Sequence, residues 1–441
     1  MSMQETLPPI ERMTNPIKAF MNSSSSSGIV LFLSALLSLW IANTAFSESF
    51  YQFWQTKFTI GIGSFKVSKS LLYWINDGLM SMFFFVVGLE LKREILEGEL
   101  SRPRKALLPI VAGIGGMLVP ALIYWQLNRG TDAVSGWGIP MATDIAFALG
   151  VLYLLGDRVP LSLKIFLTAL AIIDDLGAVL VIALFYTSEI SLTNLGIGML
   201  FMGAMLLANR MGVRSVLVYG VLGIGGLWLA FLLSGVHATI AAVLAAFTIP
   251  ASVRISKEEY SDRMSRLMED FQRCRPTSQS MITPRMQEVL DQIKLATDAA
   301  IPPLQKLEHG MHGLVAFVVM PIFALANAGV ALSGDIGDIL STPISLGVLL
   351  GLVIGKTTGI VGFVFAFEKI GLIQRPSGMG YTQLLGLACL AGIGFTMSLF
   401  ITSLAFESEL YIRQAKIAIL LASLVAGVAG YLLLRFSAPK P

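Results

Sequence analysis

Long apolar runs separated by short polar breaks dominate the chain. A run of roughly 20 mostly apolar residues is enough to cross the hydrocarbon core of a bilayer as a helix. Twelve such runs occur, at about 28–46, 71–97, 106–127, 133–155, 161–187, 193–209, 215–231, 234–251, 311–331, 345–367, 381–404 and 411–435. The pattern predicts an all-α polytopic membrane protein of about 12 transmembrane helices. Residues 1–27 form a polar N-terminal segment, 28–435 the membrane domain and 436–441 a short tail. The first run is long for a signal-peptide core, and Ala42–Ala45 matches a cleavage site only loosely, so it reads as an uncleaved first span.

Two connections are longer than the rest. In the first, two short extended runs flank Gly63-Ser64, a pair suited to a tight turn, and predict a small β-hairpin over about 58–68. The second, about 252–310, is rich in charge, Ser and Gln, and its pattern leaves open a short surface helix or an irregular segment.

Charge then orients the chain. With both termini in the cytoplasm, 24 of the 31 Lys and Arg fall on the inside, six on the outside, and Lys356 lies within a span. Only an even number of spans preserves this bias, and it places the hairpin outside and the loop 252–310 inside. Composition agrees: 55% of the 441 residues are hydrophobic and 13% charged, against about 25% charged in soluble domains. The net charge of +3 gives no reason to expect nucleic acid. The two cysteines, Cys274 and Cys389, fall in a charged loop and an apolar run, which argues against a disulfide framework or a thiol metal site.

Ionised side chains within a bilayer cost at least about 2.5–3.5 kcal/mol each, so the few that interrupt these runs are informative. They are Asp77 and Glu90 in the second run, Asp144 in the fourth, Asp174 and Asp175 in the fifth, and Lys356 in the tenth; Arg93 and Glu94 stand at the inner end of the second. Asp174 and Asp175 are adjacent, so on a helix they point about 100° apart and can flank one cavity while facing different neighbours. Carboxylates sharing a low-dielectric site hold protons more tightly than in water, and the same oxygens suit a hard monovalent cation. Protons and Na+ would then compete for one site. Lys356 is the one base in mid-membrane and a partner for one of the two acids; it fits equally a carrier of an exchangeable proton and a fixed counter-charge. Gly136, Gly138 and Pro140 before Asp144, and Gly386, Gly392 and Gly394 in the eleventh run, suggest two interrupted helices, a pointer to a transport site near the midplane. Asp144 and Lys356 could offset the partial charges of their broken ends. Close helix packing is the other reading of these glycines. His237 near the outer end of the eighth run, and His309 and His312 beside Glu308 at the inner start of the ninth, are candidate pH-responsive positions.

Seven strings make the chain resemble the NhaA family of Na+/H+ antiporters. They are Trp74–Met80, Phe83–Glu94, Met141–Ala148, Ala171–Asp175, Ser234–Thr239, Leu307–Met311 with His312, and Gly392–Ser398, and the likeness runs from about 15 to 435. The resemblance implies an inverted-repeat antiporter fold with helices 4 and 11 interrupted. It implies a multi-pass protein of the bacterial inner membrane, electrogenic and pH-regulated, that needs no cofactor and pairs as a homodimer through the outer hairpin. By the same resemblance Asp174 and Asp175 bind cation and proton, with Asp175 the principal ligand for Na+. Asp174 pairs with Lys356, while Asp144 and Lys356, with Thr143 beside them, compensate the helix crossing. Glu90, Arg93, Glu94, Glu308, His309 and His312 line the cytoplasmic entrance. Two departures stand out. The loop before Glu308 is long for the family, and Thr357 follows the buried lysine where members often carry proline.

The mechanism expected is alternating access, with Na+ or Li+ and H+ as substrates. A cation channel is the alternative. Intramembrane aspartyl proteases also use two aspartates, but on different helices facing each other; adjacent Asp174 and Asp175 do not suit that geometry.

Overall fold

The computed structural model describes residues 25–437, apart from 63–64, 188–189, 275–281, 333–334 and 377. The hairpin turn expected at Gly63-Ser64, most of the N-terminal segment 1–27 and most of the tail 436–441 lie outside the described residues.

Every apolar run is helical. Helix α1 (Ser26–Ala42) turns through 114° into the short α2 (Ser47–Gln55). Strands β1 (Lys57–Ile62) and β2 (Phe65–Ser70) pair antiparallel, with Lys57 opposite Ser70 and Ile62 opposite Phe65. Long spans α3 (Leu71–Leu96) and α4 (Pro103–Asn128) follow. Next comes a 3-10 stretch, Asp132–Met141, which leads through extended residues into α5 (Ile145–Tyr153). The spans α6 (Leu161–Phe185), α7 (Leu192–Arg210) and α8 (Val216–Ser234) precede α9 (Ala238–Thr248), which has only 11 residues.

The long loop is more ordered than its composition suggested. It forms two helices, α10 (Lys257–Gln272) and α11 (Pro284–Ala300), which bury a small core of Leu267, Val289 and Ala296 between them. Each starts on a side-chain cap, Ser256 on the Glu259 amide and Thr283 on the Met286 amide. The following span, α12 (Pro303–Asn327), begins about eight residues earlier than the apolar run does, because Pro303 suits a first helical turn. After the short α13 (Ile336–Ser341) come α14 (Pro343–Lys369), the bent pair α15 (Tyr381–Ala391) and α16 (Phe395–Ala405), and the terminal α17 (Glu409–Ser437).

Among the described residues nine of these elements are long and apolar enough to span a bilayer, or up to eleven when each bent pair is counted as one span, and α9 is a shorter apolar helix. The fold is that of an all-α polytopic membrane protein with a small β-hairpin. Its larger core gathers side chains from α1, α3–α6, α12 and α14–α17, and a second core lies among α3, α7, α8 and α9 around Leu89, Phe231 and Ala246. The tightest approach is between α4 and α14. A Cβ built on Gly359 would stand 2.1 Å from the Gly115 carbonyl oxygen, so only glycine allows this contact. It brings the backbone of Gly116 close to the Lys356 side chain.

Candidate functional site

The centre of the bundle is built from two broken helices. Glycine and proline are poor α formers, and Gly136, Gly138 and Pro140 leave Asp132–Met141 in a tighter 3-10 coil that ends in extended Ala142. Gly392–Gly394 break the other span with a bend of 45°. The two breaks cross. The Asp144 amide donates to the Ile393 carbonyl at 2.7 Å, and the Ser398 hydroxyl donates to the Ile139 carbonyl at 2.8 Å.

Crossing broken helices bring four helix ends together; three meet a charged side chain of suitable sign and the fourth a hydroxyl. Asp144 serves both N-terminal ends. Its Oδ1 accepts from the Phe147 amide at 3.0 Å, and its Oδ2 from the Thr396 amide at 3.1 Å and the Thr396 hydroxyl at 2.5 Å. A carboxylate there meets the positive ends of α5 and α16. Lys356 serves a C-terminal end, donating from Nζ to the Met141 carbonyl. Thr143 serves the other, its hydroxyl 2.8 Å from the Ala391 carbonyl.

Asp174 joins this hub from α6. Its Oδ2 lies 2.7 Å from Lys356 Nζ and 2.7 Å from the Thr143 hydroxyl, and both charged side chains are fully buried. Thr143 therefore has two acceptors in reach for one hydroxyl proton, and donates to one at a time. Asp175, on the next residue of α6, is equally buried. Asp174 Oδ1 and Asp175 Oδ1 are each buried without a hydrogen-bond partner among the described residues. Gly113 on α4 keeps the space beside Asp174: a Cβ there would approach Asp174 Oδ1 to 3.6 Å and Ile173 Cγ2 to 2.6 Å. Among the described residues no three of His, Cys, Asp and Glu converge as a resident metal centre would require.

Thr357, where proline was noted as common, continues the α-helix and bonds back to its own chain, its hydroxyl 2.7 Å from the Val353 carbonyl. Lys356 thus keeps a regular helical position, following a widened π-type turn over Gly351–Gly355.

With this geometry in hand, comparison with known sequences is decisive. The family profile described as Na+/H+ antiporter 1 matches residues 18–434. The chain belongs to that family. Among curated relatives, an Na+/H+ antiporter NhaA of Oleidesulfovibrio alaskensis is 50% identical over 97% of this chain and 95% of its own length. Proteins of the same name from Wolinella succinogenes and Sulfurimonas denitrificans are 46% and 45% identical, over 93% and 97% of this chain and 91% and 97% of theirs.

The remaining residues singled out from the sequence of this Na+/H+ antiporter 1 family member fall in two outlying groups. At the end of the bundle away from the hairpin, Arg93 bridges α3 and α12, with Nε 3.0 Å from Glu308 Oε1 and Nη1 2.9 Å from Glu94 Oε1. Glu90 lies one turn deeper on α3, and His309 and His312 follow Glu308 on α12. At the hairpin end, His237 precedes α9, with Nε2 2.8 Å from the Tyr186 carbonyl. A carbonyl only accepts, so Nε2 carries the proton of that bond. Asp77 lies near it, within electrostatic reach of His237 and Lys69 and beside Tyr73. The pH-response candidates are thus divided between the two ends of the bundle, with the central hub between them.

Sequence reasoning missed several working parts. Thr396 is as close to Asp144 as any residue, and its place two residues after Gly394 at the break was the available signal. Ser423 on α17 accepts from the Phe395 amide at 3.2 Å. Lys92 Nζ donates to the Phe247 and Ile249 carbonyls, at 2.7 Å and 2.5 Å, and so caps the C-terminal end of α9. Nothing in the local sequence distinguishes Lys92 from any interfacial lysine.

Proposed function

We propose that this chain is a secondary active antiporter that exports Na+ or Li+ in exchange for protons by alternating access. It is a transporter rather than an enzyme. The observation that carries the reading is the pair Asp174 and Asp175, fully buried in mid-span, each with an unpartnered oxygen. Two buried anions face one buried cation, Lys356, so the site holds an excess negative charge unless it takes up a proton or a cation. Asp175 is the principal cation ligand. Asp174 exchanges partners between Lys356, Thr143 and the transported ion. Asp144 stays engaged with the ends of α5 and α16 and serves the crossing rather than the ion.

An empty, doubly ionised site is too costly to reorient through a low-dielectric barrier, and this couples the two fluxes. With more protons than cations moved per cycle, exchange is electrogenic, and each net charge gains about 2.3 kcal/mol per 100 mV. Glu90, Arg93, Glu94, Glu308, His309 and His312 form the cytoplasmic entrance and its pH response, with His237 acting from the outer side. The protein resides in the bacterial inner membrane with both termini cytoplasmic. It pairs as a homodimer through the hairpin, whose Phe58 and Ile60 are exposed and whose two strands leave open edges.

The test is made in everted membrane vesicles with a preformed acid-inside gradient. NaCl or LiCl should collapse the gradient in competition with protons, and Asp175→Asn should abolish the response. Collapse that persists in Asp175→Asn would move the cation site elsewhere, and no response to any cation at any pH would overturn the antiporter reading. In sealed liposomes an imposed potential should change the initial rate; no change would reject electrogenic exchange.

A further inference from the structure

An apolar groove of about 680 Å³ runs along the outside of the bundle between α1, α5, α16 and α17, closed at the hairpin end by α13. Its walls include Phe32, Phe147, Phe395, Leu420, Leu424 and Val428. The α17 side is a stripe from Ile417 to Leu432, about 22 Å long at 1.5 Å per residue. That is most of a hydrocarbon core about 30 Å thick. One turn beyond the stripe stands Arg435, exposed, with Nη1 3.4 Å from the Tyr431 hydroxyl.

We infer that this groove holds one acyl chain of a membrane glycerophospholipid, with the lipid phosphate on Arg435. Three features select that occupant. The groove opens toward lipid and its walls are hydrocarbon. Its apolar stripe of about 22 Å falls short of the roughly 30 Å that a further spanning helix must cover. Finally, its cytoplasmic end, in the orientation proposed above, presents a guanidinium suited to a phosphate.

The position gives the lipid a mechanical role. Phe32, Phe147 and Phe395 form a row, with ring centroids 6.0 Å and 5.7 Å apart. The Phe147 amide is bonded to Asp144 Oδ1, and Phe395 directly precedes Thr396, which is bonded to Asp144 Oδ2. A chain lying on these rings presses on the first turns of both half-helices that Asp144 ties together. Occupancy thereby biases the crossing. This consequence rests on the antiporter reading; the binding itself does not.

The experiment titrates the purified full-length chain with one defined phosphatidylethanolamine and counts adducts by native mass spectrometry. The native chain should hold one tightly bound lipid. The double variant Leu424→Trp/Val428→Trp, which fills the groove, should weaken it about tenfold or more, and Arg435→Gln several-fold. Leu200→Trp, on the exposed face of α7, should leave it unchanged. Phe32→Ala, which trims one wall, should weaken binding several-fold should the double variant not fold. No adduct on the native chain, retention of detergent alone, or equal affinity in the groove variants would overturn the proposal. Equal loss in Leu200→Trp would do the same, because binding would then be nonspecific. In proteoliposomes the groove-filled variant should exchange several-fold more slowly at unchanged Na+ affinity; full-rate exchange without the lipid would reject the mechanical role while leaving the antiporter reading intact.

Discussion

Lys356 and Asp174 meet at the crossing of the two broken helices, Nζ to Oδ2 at 2.7 Å, with neither side chain exposed. The pair comes from α14 and α6, and the lysine also donates to the Met141 carbonyl. One ammonium therefore holds together α6 and the end of an interrupted helix. Any event that neutralises Asp174 leaves Lys356 to the helix end alone, which links the charge on Asp174 to the geometry of the crossing.

Removing one member of a buried pair strands the other. Lys356→Met and Asp174→Asn should each lower stability by about 3–5 kcal/mol, and the double variant by clearly less than the sum. Thermal unfolding of the purified protein in one detergent measures all four corners of the cycle. Strict additivity would show that the two groups are not coupled.

Asp144 ties α5 to α16 through three accepted bonds. Thr396→Val removes one of them and leaves the amide bonds, so it should cost about 1–2 kcal/mol, whereas Asp144→Ala removes all three and should cost more than twice as much. Hydrogen exchange at Phe147 and Thr396 should rise in Asp144→Ala. Protection there equal to native would mean that the caps are not what holds the crossing.

Packing at the α4–α14 contact leaves no room for a methyl group. Gly359→Ala should destabilise by about 1–3 kcal/mol and displace Lys356 from Asp174. Gly113→Ala, whose methyl would enter beside Asp174 Oδ1, should impair ion binding more than stability. Binding of Na+ by calorimetry and unfolding temperature separate the two effects.

Asp298 and Lys306 fasten the extramembrane helix α11 to the start of α12, at 2.6 Å. The hydrogen bond and charge of Lys306 hold the Asp298 carboxyl below the ordinary aspartate range. A group more acidic in the folded state stabilises above its ordinary pKa and loses that contribution as pH falls through the lower folded value. Amide protection over residues 296–306, taken relative to the intrinsic exchange rate at each pH, should therefore be flat from neutral pH down to the ordinary aspartate range and fall only below it. Asp298→Asn should show the lowered protection at every pH.

Some of this was written plainly in the chain. Each of the twelve apolar runs holds a helix, because a bilayer demands about 20 apolar residues wherever a helix crosses it, although among the described residues nine elements, or up to eleven with the bent pairs, reach spanning length and α9 does not. The same solvent makes an ionised side chain conspicuous, so Asp144, Asp174, Asp175 and Lys356 could be picked out by composition alone. Gly136, Gly138, Pro140, Gly392 and Gly394 marked both breaks, because glycine and proline weaken helices through local backbone physics.

Partnership was decided by tertiary structure. That Lys356 takes Asp174, that Thr396 completes Asp144, and that Lys92 caps α9 depend on helices far apart in sequence lying side by side. The order of loop 252–310 belongs here too: each of its helices is polar when taken singly, and only their pairing buries Leu267, Val289 and Ala296. The sequence by itself determined which groups the membrane must compensate, since desolvation acts on each residue wherever it stands. The tertiary structure alone decided what compensates them, since hydrogen bonds and ion pairs act over about 3 Å and need the packed fold to bring the partners within reach.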